Sequence, residues 1–182
     1  MIILTSNLEK IQEIRTLYPE LIVTQGPDLR EVMGNKDQVI IYKALEAGMG
    51  HVVEDTILEI DGQEVVDIRW KLGDLKEGMY LKWVVSLGYY TSHGTIKIYR
   101  GSVDGIITLP DVFPEDAFGF DLYFKPVADQ HGKTLYQLQK EGKKNTYSPR
   151  AIALKNLIDD KPLFIQDVNS IKPWIGKYQT DT

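Results

Sequence analysis

The chain contains 182 residues with a mass of 20.8 kDa, which fits one domain or at most two small ones. Hydrophobic residues make up 43% and charged residues 26%, a composition that predicts a packed core. The formal net charge of −5 argues against a general binder of nucleic acid or anionic membrane, since such proteins need a basic surface. Because the chain has no cysteine, disulfides, thiolate metal sites and thiol catalysis are excluded.

The N-terminus lacks the basic and apolar regions of a signal peptide. No run approaches the roughly 18 uninterrupted apolar residues of a membrane span. The sequence also shows no internal repeat and no clear linker. We therefore expect a soluble, cytoplasmic protein whose residues 1–182 form a single domain.

The first part of the chain predicts alternating strands and helices. An apolar strand over residues 2–4 is followed by a helix that Ser6 and Glu9 would cap and that Pro19 would end. Residues 21–24 predict a second strand, which leads into a glycine- and proline-containing turn. This alternation favours a mixed α/β fold.

The rest of the chain predicts a helix over residues 35–47, a strand that opens at Val52, and a last helix from Pro149 to Ile158. Two turn sequences, Asp61-Gly62 and residues 92–94, predict hairpins. The middle strands so predicted cover residues 58–60, 65–68, 81–90, 95–99 and 106–109. One domain with a twisted sheet and flanking helices is the simplest interpretation.

The first motif with chemical potential lies between the first strand and the first helix. Thr5, Ser6 and Asn7 precede free backbone N–H groups, and Lys10 lies one helical turn further on. A helix N-terminus with a nearby lysine is suited to bind a phosphate. The alternative is an ordinary helix cap beside a solvated lysine, which local pattern favours.

The second motif is the acidic pair Glu54 and Asp55, which directly follows an apolar strand. Ligands collect at the carboxyl ends of strands in open α/β sheets, and Mg²⁺ would keep two adjacent carboxylates charged. Glu31, in the loop before the second helix, could complete a site of hard oxygen ligands. The alternatives are a strand that ends at the surface and an ordinary loop acid.

Two further motifs lie in the second half of the chain. The sequence Phe-Gly-Phe-Asp at residues 118–121 could stack on a base and bind its edge, or could be a core aromatic cluster. Lys143, Lys144 and Arg150 surround the start of the last helix, where they could bind an anion or form a solvated basic loop. The three histidines show no zinc-ligand spacing, and neither standard glycine-rich nucleotide loop is present.

The order of these motifs resembles the inosine-triphosphate pyrophosphatase family, which hydrolyses non-canonical purine nucleotides. Thr-x-Asn-x-x-Lys follows the first strand, Glu31 precedes Lys43 by twelve residues, and Glu-Asp-Thr occupies residues 54–56. Phe-Gly-Phe-Asp comes next, followed by Lys-Asn-x-x-Ser-x-Arg at residues 144–150. The resemblance covers about residues 1–160 and rests on the co-linear set.

The resemblance implies an ITPase-like or Maf-like fold: an elongated α/β protein with a mixed, twisted central sheet, flanking helices and a cleft between two lobes. It also implies Mg²⁺-dependent hydrolysis of ITP, dITP and XTP to the nucleoside monophosphate and pyrophosphate. The family usually acts as a homodimer. The expected partner is therefore a small nucleoside triphosphate, with no nucleic acid and no membrane.

The resemblance also implies residue roles. Three residues would bind the triphosphate: Thr5, Asn7 and Lys10. Two carboxylates would be metal ligands: Glu31 and Glu54. Asp55 would orient or deprotonate the attacking water, and Lys43 would neutralise phosphate charge. Four residues would line the base pocket: Phe118, Gly119, Phe120 and Asp121. Three would close over the base and sugar-phosphate: Lys144, Ser148 and Arg150.

The chain departs from the family pattern at three places. Pro149 stands where the family usually has a base-recognising histidine, and Ile57 stands where a glycine is common. The segment 61–80 is abbreviated, although Arg69 and Trp70 could match a substrate-contacting pair within it. Two alternatives therefore stay open: the same chemistry on another nucleotide, modified or canonical, and a nucleotide-binding homologue with slow or no turnover.

Overall fold

A computed structural model describes residues 1–60, 62–65, 72–117 and 120–179. The strands are β1 (Ile2–Thr5), β2 (Val23–Gln25), β3 (His51–Ile60), β4 (Gln63–Val65), β5 (Tyr80–Tyr90), β6 (Thr95–Ile107), β7 (Phe124–Pro126) and β8 (Phe164–Asp167). The helices are α1 (Leu8–Leu17), α2 (Lys36–Ala47), α3 (Leu135–Lys140), α4 (Lys144–Tyr147) and α5 (Pro149–Ile158). Short 3₁₀ turns cover Leu72–Asp74 and Val168–Ser170.

The strands form one mixed sheet in the order β2-β1-β3-β5-β6-β7, with β4 paired to β3 and β8 paired to β6. Strand β1 is parallel to β2 and β3, whereas β4, β7 and β8 are antiparallel to their neighbours. The mixed α/β fold class is confirmed. In the part of the chain that the structure describes, no helix is long and apolar enough to cross a membrane.

The chain divides into two compact units. Unit 1 contains Met1–Asp55, Ser86–Arg100 and Ala153–Thr182, and unit 2 contains Thr56–Val85 and Gly101–Ile152. Strands β3, β5 and β6 therefore contribute residues to both. The single domain expected over residues 1–182 and the cleft between two lobes stay predictions.

In unit 1, the cap of helix α1 lies one residue later than predicted. The Asn7 side chain, not that of Ser6, accepts hydrogen bonds from the amides of Glu9 and Lys10, at 2.9 and 3.2 Å. Asparagine and serine are comparably good caps, so the sequence alone did not decide between them. The observed start places Lys10 in the first helical turn.

Helix α2 is fixed at both ends as the sequence predicts. Asn35 and Gln38 form a reciprocal capping box, and Gly48 ends the helix with a φ of 90°, a conformation that glycine adopts at little cost. One face of the helix packs Ile40 and Ala44 into an apolar cluster with β3 and β6. This packing fixes the side chain of Lys43 on the adjoining face of α2.

Unit 2 has its own apolar core, which brings together residues from β3, β5, β6, β7 and α3. Leu58 pairs with Val65 across the β3–β4 hairpin, as the Asp61-Gly62 turn predicts. The strand predicted over residues 106–109 is instead the end of β6, which continues unbroken to Ile107. Residues 66–71 lie outside the described residues, so the abbreviation of segment 61–80 and the match at Arg69 and Trp70 stay predictions.

Candidate active site

Five charged side chains of unit 1 form a group that we call the acid–lysine cluster: Lys10, Glu31, Lys43, Glu54 and Asp55. Helices α1 and α2 supply the lysines, strand β3 supplies two of the acids, and the segment before α2 supplies Glu31. All five were singled out from the sequence. The structure brings them together within one unit.

The acidic pair lies inside β3 and does not follow its end. Strand β3 continues to Ile60, and the exposed fractions of Glu54 and Asp55 are only 5% and 6%. The prediction that these residues follow the strand is therefore wrong, as is the alternative of a strand that ends at the surface. Since buried carboxylates are rare unless they are paired, their partners decide what the site can do.

Two lysines neutralise the carboxylates from different helices. Lys10 Nζ lies 3.1 Å from Glu54 Oε1. Lys43 Nζ lies 3.0 Å from Glu31 Oε1 and 2.8 Å from the main-chain oxygen of Glu54, to which it donates a hydrogen bond. Lys43 therefore joins the loop that carries Glu31 to the strand that carries Glu54.

The Asp55 carboxyl has an unusual proton affinity. Burial raises its pKa from 3.8 to about 7, and the charges of Glu31 and Glu54 act in the same direction. Lys43 and Lys10 lower the pKa but do not cancel the effect of burial. At neutral pH, Asp55 can therefore either hold or accept a proton.

The junction between β1 and α1 combines both interpretations of its motif. The Asn7 side chain caps the helix, and Thr5 Oγ1 accepts a hydrogen bond from the Asn7 amide at 3.2 Å. Lys10, however, is not simply solvated, because it is paired with Glu54. A role of Thr5 and Asn7 in binding phosphate stays a prediction.

The carboxylates of the cluster are chemically suited to Mg²⁺. Mg²⁺ prefers hard oxygen ligands and is usually held in nucleotide sites by one or two carboxylates together with substrate phosphates. Glu31 and Glu54 provide two such carboxylates. Among the described residues, no group of three or more histidines, aspartates or glutamates has an arrangement for holding a metal ion by itself. The two carboxylates are therefore the kind of oxygen donor that Mg²⁺ takes.

In unit 2, Phe120 belongs to a packed aromatic group. Its ring stacks on Tyr123 with centroids 5.7 Å apart and planes 9° apart, and it meets the edge of Trp83 at 5.4 Å. Phe120 is thus packed in an aromatic cluster and only 5% exposed, and its contact with a base stays a prediction. Phe118 and Gly119 lie outside the described residues, so their assignment to a base pocket stays a prediction.

The basic motif is largely buried and not a solvated loop. Lys144 Nζ lies 2.6 Å from Asp121 Oδ2, and Asp121 is fully buried. Ser148 Oγ accepts a hydrogen bond from the Ala151 amide at 3.3 Å, which caps α5, and Arg150 is 4% exposed. The solvated-loop alternative is wrong for Lys144 and Arg150, although Lys143 at the start of the motif is exposed.

Sequence reasoning missed Trp83. Its indole Nε1 is a buried donor that has no hydrogen-bond partner within the described ranges. Its ring packs edge-on against both Phe120 and Phe124. The available signal was a tryptophan inside a largely apolar strand, which does not separate a core position from a ligand contact.

The fold and the acid–lysine cluster define a mixed α/β protein with a buried carboxylate–lysine site. The sequence model of the Ham1 family matches residues 69–160, which is 92 of the 182 residues. The chain belongs to the Ham1 family. This confirms the family resemblance that the motifs indicated.

Three solved structures share the fold. The Ham1 protein of Staphylococcus aureus is 22% identical, with a TM-score of 0.64 over 87% of this chain and 96% of that one. A HAM1 protein from Coxiella burnetii is 20% identical, with a TM-score of 0.61 over the same two shares. A nucleoside-triphosphatase / dITP/XTP pyrophosphatase from Mycobacterium abscessus is 24% identical, with a TM-score of 0.53 over 87% and 99%. At these identities the likeness concerns the fold alone.

The raised pKa of Asp55 predicts a specific pH dependence of stability. The folded state keeps the proton up to about pH 7, whereas the unfolded chain loses it near pH 3.8. The protonated carboxyl therefore stabilises the folded state at low pH. This stabilisation is lost progressively as the pH rises from about 3.8 through 7, and it amounts to about 2–4 kcal/mol. Relative to wild type, Asp55→Asn should therefore gain that much in free energy of unfolding between pH 4.5 and pH 8, measured by urea denaturation without added metal.

Asp159→Asn is the matched control, because Asp159 is exposed and its pKa is lowered by Lys155. Its difference from wild type should change little between pH 4.5 and pH 8. If the Asp55→Asn difference were equally flat, Asp55 would not be the buried, proton-binding group described above.

Proposed function

We propose that this protein is a Mg²⁺-dependent nucleoside-triphosphate pyrophosphatase. It would hydrolyse the non-canonical purine nucleotides ITP, dITP and XTP to the monophosphate and pyrophosphate, and so remove them from the nucleotide pool. Membership of the Ham1 family, and a fold shared with a protein described as a dITP/XTP pyrophosphatase, support a hydrolase of this type. The observation that carries the proposal is the acid–lysine cluster, in which two partly exposed lysines face Glu31 and the buried pair Glu54 and Asp55.

The lysines suit a ligand that brings both negative and positive charge. In this structure Lys10 and Lys43 are paired with the carboxylates that would bind the metal. With Mg²⁺ and a triphosphate in the site, Glu31 and Glu54 would bind the metal, and Lys10 and Lys43 would pair with the phosphates. Each buried charge would then keep a partner of opposite sign, which limits the cost of burying it.

The metal would be held by Glu31 and Glu54. When bound, Mg²⁺ acts as a Lewis acid that offsets the charge developing on the phosphoryl oxygens. Thr5 and Asn7 lie at the start of α1, where the helix dipole favours phosphate oxygens and Asn7 fixes the first turn by capping the amides of Glu9 and Lys10. The chain itself would thereby position the triphosphate.

Asp55 would serve as the base that orients and deprotonates the attacking water. It lies next to Glu54 in β3 and is electrostatically coupled to both lysines. Because its pKa is about 7, the Asp55 carboxyl is partly ionised near neutral pH. It can therefore both accept and release a proton in each turnover. Water attack at the α-phosphorus would release pyrophosphate as one unit.

The buried group of unit 2 would recognise the base. Phe120 offers an aromatic surface, and the Lys144–Asp121 pair provides charged hydrogen-bonding groups that burial strengthens. Ser148 and Arg150, at the start of α5, would contact the sugar-phosphate. Trp83 Nε1 is a donor for the 6-keto oxygen of hypoxanthine or xanthine, whereas the amino group of adenine would leave that donor unpaired.

The remaining parts of the proposal concern location and assembly. We infer a cytoplasmic homodimer that binds a small nucleotide and neither nucleic acid nor membrane. The acidic net charge of −5 supports the exclusion of long polyanions, because the basic residues proposed for phosphate are confined to one site. Size-exclusion chromatography with light scattering tests the dimer directly, and a monomer at micromolar concentration would contradict it.

The product assay tests the chemistry. Purified protein with Mg²⁺ should convert dITP and XTP to the monophosphate and pyrophosphate, resolved by ³¹P NMR. Asp55→Asn should lower kcat by about 100- to 10,000-fold, because the amide cannot accept the proton of the attacking water. Asp159→Asn should behave as wild type. Orthophosphate as the product, or full activity of Asp55→Asn, would contradict the assignment.

A second candidate is the same reaction on a different nucleotide. It is favoured by Pro149, which opens α5 and has no side-chain donor for a base. A panel of dITP, XTP, dUTP and the four canonical dNTPs separates the two.

If Trp83 is the donor, Trp83→Phe should lower the preference for dITP over dATP by about tenfold while it retains an aromatic ring. An unchanged preference would remove Trp83 from base recognition, and wild-type turnover of dUTP or canonical dNTPs above dITP would favour the second candidate. Tight nucleotide binding without turnover would favour a non-catalytic homologue.

A further inference from the structure

The C-terminal segment, residues 171–179, pairs with the part of unit 1 that carries Glu31. This segment lies beyond residues 69–160, which match the family, and beyond the motifs of the sequence analysis. Glu31 itself lies in a stretch before α2 that contains one isolated bridge and no helix or extended strand. Its side-chain position therefore depends on whatever holds that stretch in place.

Main-chain hydrogen bonds hold the stretch on both sides of Glu31. The Gln179 amide donates to the main-chain oxygen of Glu31 at 2.9 Å. The Met33 amide donates to the main-chain oxygen of Lys177 at 2.8 Å. Between them, Val32 and Tyr178 form an antiparallel bridge. The two stretches thus form a minimal two-stranded ladder whose end is Glu31.

Side chains reinforce this ladder. Gln179 Nε2 donates to the main-chain oxygen of Val32 at 3.2 Å. The Arg30 guanidinium lies 4.3 Å from the centre of the Tyr178 ring, a cation–π contact. Both neighbours of Glu31 in the chain, Arg30 and Val32, are therefore held by the C-terminal segment.

The C-terminal segment is in turn attached to α2, the helix that carries Lys43. Tyr42 donates a hydrogen bond from its hydroxyl to the main-chain oxygen of Lys172 at 2.6 Å, and its ring lies 5.2 Å from that of Trp174. Trp174 Nε1 donates to the Lys177 oxygen at 3.0 Å. A pocket of about 300 Å³ remains between these elements. The segment is therefore not packed continuously against α2, and hydrogen bonds and ring contacts hold it in place.

We propose that Lys177, Tyr178 and Gln179 are positioning residues that hold Glu31 for the divalent metal. The proposal rests on the proposed function, in which Glu31 is a metal ligand. Helix α2 carries Lys43 and is also attached to the C-terminal segment. Lys43 therefore holds the Glu31 carboxylate, while the C-terminal segment holds the main chain of Glu31. Without the ladder, ordering this stretch on metal binding would cost conformational entropy at several residues.

The test compares Gln179→Pro with Gln179→Ala in the full chain. Proline removes the amide that donates to Glu31, whereas alanine removes only the side-chain bond to Val32 and keeps that amide. Hydrogen exchange at the Met33 amide reports the ladder directly and needs no activity. Mn²⁺ titration monitored by electron paramagnetic resonance measures metal affinity directly. The Mg²⁺ concentration that gives half-maximal hydrolysis measures metal affinity during turnover.

In Gln179→Pro, we expect faster exchange at Met33 and about three- to tenfold weaker metal binding, the loss that one net hydrogen bond gives. At saturating Mg²⁺, kcat should stay close to wild type, because Asp55 and Lys43 are unaltered. Gln179→Ala should lose less than Gln179→Pro in exchange protection and metal affinity, because it keeps the amide that donates to Glu31. Unchanged exchange and metal affinity in Gln179→Pro would overturn the proposal, and so would an equal loss in Gln179→Ala.

If Gln179→Pro fails to fold, Tyr178→Ala replaces it, because it removes the ring under Arg30, and Tyr178→Phe is its control. Tyr178→Ala must then weaken metal binding more than Tyr178→Phe, and equal affinities would overturn the proposal. Failure of the proposed function gives a different pattern. The wild-type protein would then hydrolyse no nucleoside triphosphate, while exchange at Met33 and Mn²⁺ binding would still show whether the C-terminal segment positions Glu31.

Discussion

The buried charge of Glu54 and Asp55 is the constraint around which unit 1 is arranged. Two adjacent carboxylates inside a strand are unfavourable unless cations face them, and here α1 brings Lys10 to Glu54 while α2 brings Lys43 to the Glu54 main chain and to Glu31. Asp55 receives the least compensation and keeps its proton to near neutrality. The caps of α1 and α2 and the parallel pairing of β1 with β3 all serve to fix these partners. In the proposed function, this arrangement binds a ligand that carries both metal and phosphate.

Helices α1, α2 and α5 and the mixed α/β class could be predicted from sequence because their signals are local, whereas the short helices α3 and α4 were missed. Asn35 and Gly48 bound α2 as capping rules require, and Pro149 opens α5. Residues 124–126 and 164–167 were missed as strands, since they are too short for periodicity and depend on pairing with β6. The continuation of β3 through Glu54 and Asp55 was also missed, because charged residues usually end a buried strand and only their lysine partners make the exception possible.

The members of the candidate site could be named from the order of motifs, but not their interactions. No local pattern pairs Lys10 with Glu54, which are 44 residues apart in the chain, or Lys144 with Asp121. Phe120 illustrates the limit, since its motif fits both a base contact and a packed core and the structure places it in the core of unit 2. The C-terminal segment carried no recognisable motif at all. Its relation to Glu31 depends chiefly on main-chain hydrogen bonds, which a sequence pattern does not show.

In the proposed function, Asp55 and the acid–lysine cluster direct water to the α-phosphorus of a nucleoside triphosphate. The decisive measurement is hydrolysis of dITP in ¹⁸O-labelled water with Mg²⁺, with mass spectrometry of both products. We expect one ¹⁸O atom in dIMP and none in the released pyrophosphate. Label in the pyrophosphate, or in orthophosphate, would mean that water attacks a different phosphorus and would contradict the roles given to the cluster.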